Sequence, residues 1–456
     1  MKPLAIVILA AGKGTRMKSN LAKVLHPIAG VPMLCYSLDL ARALRPERIV
    51  VVVGFQRELI RERFSAPDIT FVDQVEQLGT GHAVQRALTA LEDFQGTVLI
   101  LCGDVPLLRE ETLRAFRARH DESQAALSVL TAILPDPSGY GRIIRKKNGA
   151  PLRIVEDRDL RPEERNIQEI NTGIYCVEKA FLLAALGNLK NQNAQKEFYL
   201  TDIVERASQE KRKVQAFPSP DPIEVMGVNT RIDLAQANQS MYQKIAQAHM
   251  LAGVTVLDPR STYIDREVRI GKDTVIHPNC YLSGKTTIGE GCLLEPGCKI
   301  ADSRLEDGVT VRGFSVITES TIGSQAVVGP FAHLRPGTIL REGVHVGNFV
   351  EVKKSILGKG TKANHLTYLG DATIGERVNV GAGTITCNYD GVKKHPTVIE
   401  DGAFIGSNTE LVAPVRIGRN ALIGAGSTIT KEVPPDTLAV SRVKQTHYPR
   451  RNPRKE

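Results

Sequence analysis

The segment LAAGKGTRMKSNLAKVL, residues 9–25, sets Gly12 and Gly14 beside two cations, Arg16 and Lys23. Glycines of this kind let main-chain amides close on phosphate oxygens while the cations supply charge, so the chemistry is phosphate binding. A generic glycine turn is the plainer alternative. The loop is not GxxxxGK[ST], and Met17 stands where a GxGxxG fingerprint has its third glycine. Polar and titratable residues gather again late in the chain, in HLRPG (333–337), NFVEVKKS (348–355), NHLTYLGD (364–371), NVGAGTITCNYDG (379–391) and GSNTELVAP (406–414).

Two patterns must position these groups. From Leu4 to about Asn229, short β-branched runs (IVILAAG, RIVVVVGF, TVLILCGDVPL, ALSVLTAIL, NTGIYCV) alternate with helical stretches such as EETLRAFRARH and YLTDIVERASQ. That alternation predicts an α/β domain over residues 1–229 around a mostly parallel sheet, with ligands at the carboxyl ends of its strands. Residues 230–250 read as a connecting helix, opened by Thr230 and Asp233 set out like a capping box. Ile232, Leu234, Met241, Ile245 and Ala248 form its expected packing stripe. From 251 to 456 an aliphatic residue followed by Gly recurs at a period of about six, as in Ile270-Gly271, Ile288-Gly289, Ile322-Gly323, Val346-Gly347, Ile405-Gly406 and Ile423-Gly424. The period predicts a parallel β-solenoid, since ordinary hairpins would not keep register so long. It slips at TCNYDGVKKHPT, which reads as an extruded loop with a functional part to play, a tolerated surface insertion being the bland alternative.

Composition narrows the class. The chain has 456 residues, 42% of them hydrophobic, enough for more than one packed core. Its seven cysteines form no CxxC pair, which fits free thiols in a reducing cytoplasm. No apolar run is long enough for a membrane span, and the opening MKPLAIVILAAG reads as a buried strand, not a signal peptide. The formal charge of +9 suits small anionic substrates. Nucleic acid is disfavoured, because several of the basic residues crowd the tail HYPRRNPRKE and aromatic residues are too sparse for a stacking platform. That tail is expected to be solvated and disordered beyond about Val443.

Taken whole, residues 9–25 closely resemble the signature of the sugar-1-phosphate nucleotidyltransferases, and the resemblance continues in QLGTGHA, GDVPL, GYGR, the Glu of IVED, and EINTG. With the hexapeptide half it extends over nearly the whole chain to a bifunctional family that joins a uridylyltransferase to a glucosamine-1-phosphate acetyltransferase. The resemblance implies a Rossmann-like nucleotidyltransferase domain, a left-handed parallel β-helix and a homotrimer; spacing alone derives neither handedness nor trimerisation. UTP and acetyl-CoA are the implied co-substrates and Mg²⁺ the implied metal, with the product feeding peptidoglycan and lipopolysaccharide synthesis. Arg16 and Lys23 would meet the phosphates, while Asp104 and Asn229 would ligate the metal through hard oxygens. Leu9, Ala10, Ala11, Gly12, Cys102 and Gly103 would wall the nucleotide pocket. Gln74, Gly79 and Thr80 would read uracil, and Gly141, Glu156 and Asn171 would hold the sugar. One departure stands out: the family usually has Pro before the active lysine and this chain has Ala22, which predicts a looser loop.

Acetyl transfer to an amine needs a base and an oxyanion donor, and His365 is the candidate base. By the same resemblance Arg335 and Lys353 would clamp the sugar phosphate, and Tyr368 and Asn379 would place the sugar and its amine. Ala382, Asn388, Tyr389, Ser407, Ala425 and Arg442 would contact acetyl-CoA, with Lys394 nearby. Rival readings are a single-activity enzyme with a structural solenoid, a regulatory subunit lacking catalysis, and a zinc enzyme using His333, His345 and His365. The neighbours of these histidines match the acetyltransferase pattern better than a zinc set.

Overall fold

The computed structural model describes residues 2–450, so the last residues of the basic tail lie outside it. The chain divides into two compact units, Met1–Met241 and Tyr242–Glu456.

The first unit is built on a nine-stranded sheet. Its strands are β1 (Leu4–Ala10), β2 (Arg48–Val53), β3 (Ile69–Asp73), β4 (Thr97–Cys102), β5 (Leu127–Ile133), β6 (Arg142–Arg145), β7 (Pro151–Val155), β8 (Glu169–Glu178) and β9 (Val214–Pro218). The main path runs β9-β5-β8-β4-β1-β2-β3. Strands β4, β1, β2 and β3 are parallel, whereas β8 runs antiparallel to β4 and β5 and carries the β6–β7 hairpin. The near-continuous apolar runs of β1, β2 and β4 follow from cover on both faces. Alternate residues divide between the two layers. Val7, Val50 and Ile100 pack with Ala83, Val84 and Ile203 of helices Thr80–Leu88 and Asp202–Gln209. Ile6, Ile8 and Leu99 pack on the other side with Leu34 and Leu38 of helix Met33–Ala43 and Phe116 of helix Glu110–Ser123.

The helix Arg231–Leu251 opens as the capping residues predict. The Asp233 carboxylate accepts from the main-chain N–H groups of Asn229 (2.9 Å) and Thr230 (2.8 Å), and Thr230 Oγ1 accepts from Asp233 N (3.2 Å). Its apolar stripe needs correction. Ile232 is 70% exposed and Ala248 is exposed too; the packed positions are Leu234, Ala237 and Met241, then Ile245 and Ala246. Ile232 lies in the first turn, ahead of the packed face.

The second unit is a three-sided parallel β-helix with sheets of eleven, ten and nine strands. One core column shows the rule: Ile276, Leu294, Val311, Val328, Val346, Ala363, Val380, Ile405 and Ile423 stand over one another through successive parallel pairs, all buried. Most buried hydroxyls of the β-helix, Thr397 excepted, find nearby carbonyls, as when Thr361 Oγ1 donates to Gly375 O at 2.7 Å. Glycine is required where coils touch: a Cβ on Gly347 would lie 1.9 Å from Asn364 O. The predicted extruded loop is present. Tyr389 and Lys394 pair across it, while Ala372–Thr397 and Asn379–Phe404 keep the coils in register on either side. At one corner Phe314, Phe331 and Phe349 occupy left-handed turns and stack with centroids 5.3 and 5.5 Å apart, exposed to solvent, with exposed Leu366 next.

Candidate active sites

In the first unit, the loops after β1 and β4 converge. Lys23 Nζ pairs with the Asp104 carboxylate and also donates to Asn229 Oδ1 at 3.2 Å, an oxygen that accepts from Arg16 Nη2 at 2.9 Å. Two hard oxygens therefore face one point, now held by an ammonium. That donor set suits a divalent cation, with Asp104 and Asn229 as its protein ligands. Chain segments far apart in sequence meet here because Val228 N donates to the main-chain oxygen of Asp104 at 2.9 Å.

Two cavities share Lys23. One, of ≈ 270 Å³, is lined by Leu9, Ala10, Ala11, Gly12, Gln74, Gly79, Thr80, Cys102 and Asp104 among others. The other, of ≈ 580 Å³, is lined by Arg16, Glu156 and Asn229 with Lys13 and Gly14. Gly103 closes the floor between strands, its N–H donating to Leu9 O at 2.9 Å. Gly141 and Asn171 adjoin Glu156: Asn171 N donates to Gly141 O at 2.8 Å, and a Cβ on Gly141 would stand 3.4 Å from Glu156 Oε2. Burial raises the Glu156 carboxyl above the usual range, neighbouring Asp159, Asp202 and Asp157 adding to it against a Thr201 hydrogen bond. Burial likewise pushes the Cys102 thiol up to about 12, with the Asp104 charge adding, which makes it an inert wall group.

Sequence reasoning left out Gln77, which lines both cavities and donates from Nε2 to Ala11 O at 2.9 Å. It sits inside the QLGTGHA motif, yet only the fold sets it against the phosphate loop. Ala22 is also better held than expected. Its N–H donates to Gln56 Oε1 at 2.7 Å, and Gln56 Nε2 donates to Asn20 O at 2.9 Å. A proline there could not make the first of these bonds.

In the second unit, Asn348, His365, Ala382, Ser407 and Ala425 follow one another up a single corner. Arg442 ends the column, donating from Nη1 to Ala425 O at 2.6 Å. His365 Nδ1 lies 3.1 Å from Asn348 Oδ1. An amide oxygen only accepts, so this contact is a hydrogen bond when Nδ1 carries the proton, and in the neutral ring of that tautomer Nε2 keeps its lone pair. On the adjoining sheet, Arg335 Nη1 meets Glu351 Oε1 at 2.7 Å, and Tyr368 stands over Glu351. Asn388 is buried, donating to Asp371 Oδ2 at 2.6 Å and Tyr368 Oη at 3.5 Å, so it belongs to this group and not to the corner column. Lys394, with burial and Arg335 adding, holds the half-buried Lys353 ammonium below the ordinary lysine range, so three cations draw together there. Asn379 sits one coil above Lys362, and Tyr389 lies on the exposed loop. Of the other two histidines, His333 is on the adjoining sheet and His345 pairs with Lys362. Asn348, Glu351 and Asp371 went unassigned from sequence because their importance lies in whom they touch.

Residues 6–162 match the MobA-like NTP transferase domain, 263–357 the GMPPB C-terminal domain, and 396–431 the six-repeat bacterial transferase hexapeptide. The NTP transferase match over the α/β unit and the hexapeptide match over the β-helix thus define a nucleotidyltransferase joined to a hexapeptide-repeat transferase. The bifunctional protein GlmU of Geotalea uraniireducens is 55% identical over 448 residues, 98% of each chain. That of Pelobacter propionicus is 54% identical over 98% of this chain and 97% of its own, and that of Brevibacillus brevis 48% over 100% and 99%. The chain belongs to the bifunctional GlmU family, and it is a uridylyltransferase and an acetyltransferase.

Proposed function

We propose that the two sites act in sequence on one sugar phosphate. The β-helix unit acetylates the amine of glucosamine 1-phosphate, and the first unit then joins the resulting N-acetylglucosamine 1-phosphate to the uridylyl group of UTP. The observation that carries this reading is the presence of two separate, differently equipped groups: Arg16, Lys23, Asp104 and Asn229 in one unit, and a base-ready His365 in the other.

In the first step the sugar amine attacks the thioester carbonyl, His365 Nε2 takes the amine proton, and coenzyme A leaves as the thiol. Asn348 keeps the imidazole in the useful tautomer. Arg335, Lys353 and Lys394 meet the sugar phosphate, and Tyr368 and Asn379 place the sugar. Acetyl-CoA lies along Ala382, Ser407, Ala425 and Arg442, with Asn388 and Tyr389 at its side. In the second step a phosphate oxygen of the acetylated sugar attacks the α-phosphorus of UTP in line and pyrophosphate leaves, so the protein's work is positioning and charge. Arg16 and Lys23 hold the triphosphate, Gln74, Gly79 and Thr80 take the base, and Gly141, Glu156 and Asn171 take the sugar. Mg²⁺ held by Asp104 and Asn229 would neutralise charge spreading over the phosphates.

The exposed stack of Phe314, Phe331 and Phe349 supports a homotrimer, since an apolar ladder of this kind favours cover by another copy. Cysteines with no CxxC pair among them support a cytoplasmic setting, and among the described residues no helix is long and apolar enough to cross a membrane. The test is to incubate the protein with glucosamine 1-phosphate, acetyl-CoA, UTP and Mg²⁺ and follow products by mass. Lys23→Ala or Asp104→Ala should lower uridylyl transfer by about 10²–10⁴-fold and spare acetylation, and His365→Ala should do the reverse. One substitution that removes both activities from a folded protein would refute separate sites.

A further inference from the structure

We infer that His82 is a positioning residue for base selection: it holds the Gln74 side-chain amide with its oxygen turned to the nucleotide cavity. The inference rests on the reading of Gln74 as the group that meets uracil. Gln74 is 4% exposed, yet it lines the cavity beside Gly79 and Thr80. Its Nε2 donates to Gly79 O at 2.9 Å and lies 3.2 Å from His82 Nδ1. An amide nitrogen has no lone pair to offer, so the second contact is a hydrogen bond only when Nδ1 is bare and His82 is neutral with its proton on Nε2. Both amide protons are then used. The opposite orientation would set Oε1 against Gly79 O at 2.9 Å, oxygen against oxygen, and would keep a bond to His82 only if the ring proton moved to Nδ1.

Gly79 O is itself held in place. It accepts from Ala83 N at 3.2 Å, and Gly79 has φ +106, where a Cβ would lie 2.6 Å from Phe198 O. A fixed carbonyl and an imidazole lone pair thus orient the amide from two sides. Oε1 has no hydrogen-bond partner among the described residues, and neither do the main-chain N–H groups of Gly79 and Thr80, which open the helix Thr80–Leu88. An acceptor flanked by donors complements an imide edge, in which a ring N–H lies between two carbonyls. Uracil has that edge. Cytosine has a lone pair where uracil has the ring N–H, so it would face Oε1 acceptor to acceptor, a mismatch that costs selectivity when the amide is locked.

The experiment measures kcat/KM for UTP and for CTP in the full chain. In His82→Phe the ratio should fall about tenfold, through KM for UTP, with KM for N-acetylglucosamine 1-phosphate unchanged. His82→Asn, which restores an acceptor near the Nδ1 position, should recover most of the ratio. If His82→Phe does not fold, His82→Ala takes its place, with the same expectation. Retention of the ratio in these variants while Gln74→Ala loses it would overturn the role of His82 and leave Gln74 as the base reader. Retention in Gln74→Ala as well would overturn both.

Discussion

Asn229 Oδ1 accepts from Arg16 and from Lys23, and Lys23 also pairs with Asp104, so two cations share one carboxylate and one amide oxygen and leave a net positive charge to meet phosphate. Phosphates and a cation must compete with those bonds, which keep the polar groups hydrogen-bonded in the meantime. Arg16 and Lys23 could be read in the sequence because they stand in a glycine loop that follows a β-branched run, and Asp104 was picked out through the family resemblance. Asn348 could not, because its meaning is the 3.1 Å contact with His365 one coil away. A buried residue outside both sites gives a pH test. His120 is 3% exposed, shares a 2.8 Å hydrogen bond with Ser128, and is pushed by burial to about 4. Between that value and the ordinary imidazole range near 6.5, the unfolded chain binds a proton that the folded chain refuses, so stability is lost as pH falls. The urea midpoint of the first unit should drop between about pH 6.5 and pH 4, by up to 2–3 kcal/mol in stability. His120→Asn should flatten that slope, and an unchanged slope would assign it elsewhere.

The solenoid strands are two to four residues long, too short for any propensity to announce them, and only the recurrence of an aliphatic-glycine step revealed them. The edge strand β3, Ile69–Asp73, gave no such signal, since its side chains are mostly half-buried. The connecting helix was visible from its cap, and the face it buries was visible in part: Leu234, Met241 and Ile245 pack as the spacing predicts, whereas Ile232 has the right spacing but lies in the first turn. The loop that breaks the period is anchored by buried Asn388 and closed by Tyr389 and Lys394. Shortening it by replacing residues 390–393 with two glycines should raise KM for glucosamine 1-phosphate and acetyl-CoA several-fold by displacing Lys394 and Tyr389. Uridylyl transfer and the thermal midpoint should hold, because the registers on either side do not depend on the loop. A fall in the midpoint with unaltered KM values would make the loop structural.

Family membership fixed the pair of activities, and the apolar corner ladder bears on how many chains are needed for them. Phe331 stacks between Phe314 and Phe349 in open solvent. Under the proposed homotrimer, Phe331→Glu should lower the mass measured by sedimentation from that of three chains toward that of one, and acetylation should fall further than uridylyl transfer. A trimer of unchanged mass would place the assembly surface on another side of the prism. The extruded loop has a meaning beyond this enzyme's own turnover. Since the coils above and below it remain in step, added residues at a corner leave the aliphatic column untouched. A lineage can lengthen, shorten or rewrite such a loop by small insertions and deletions while the prism stays folded, so new substrate preferences are within reach of simple genetic events.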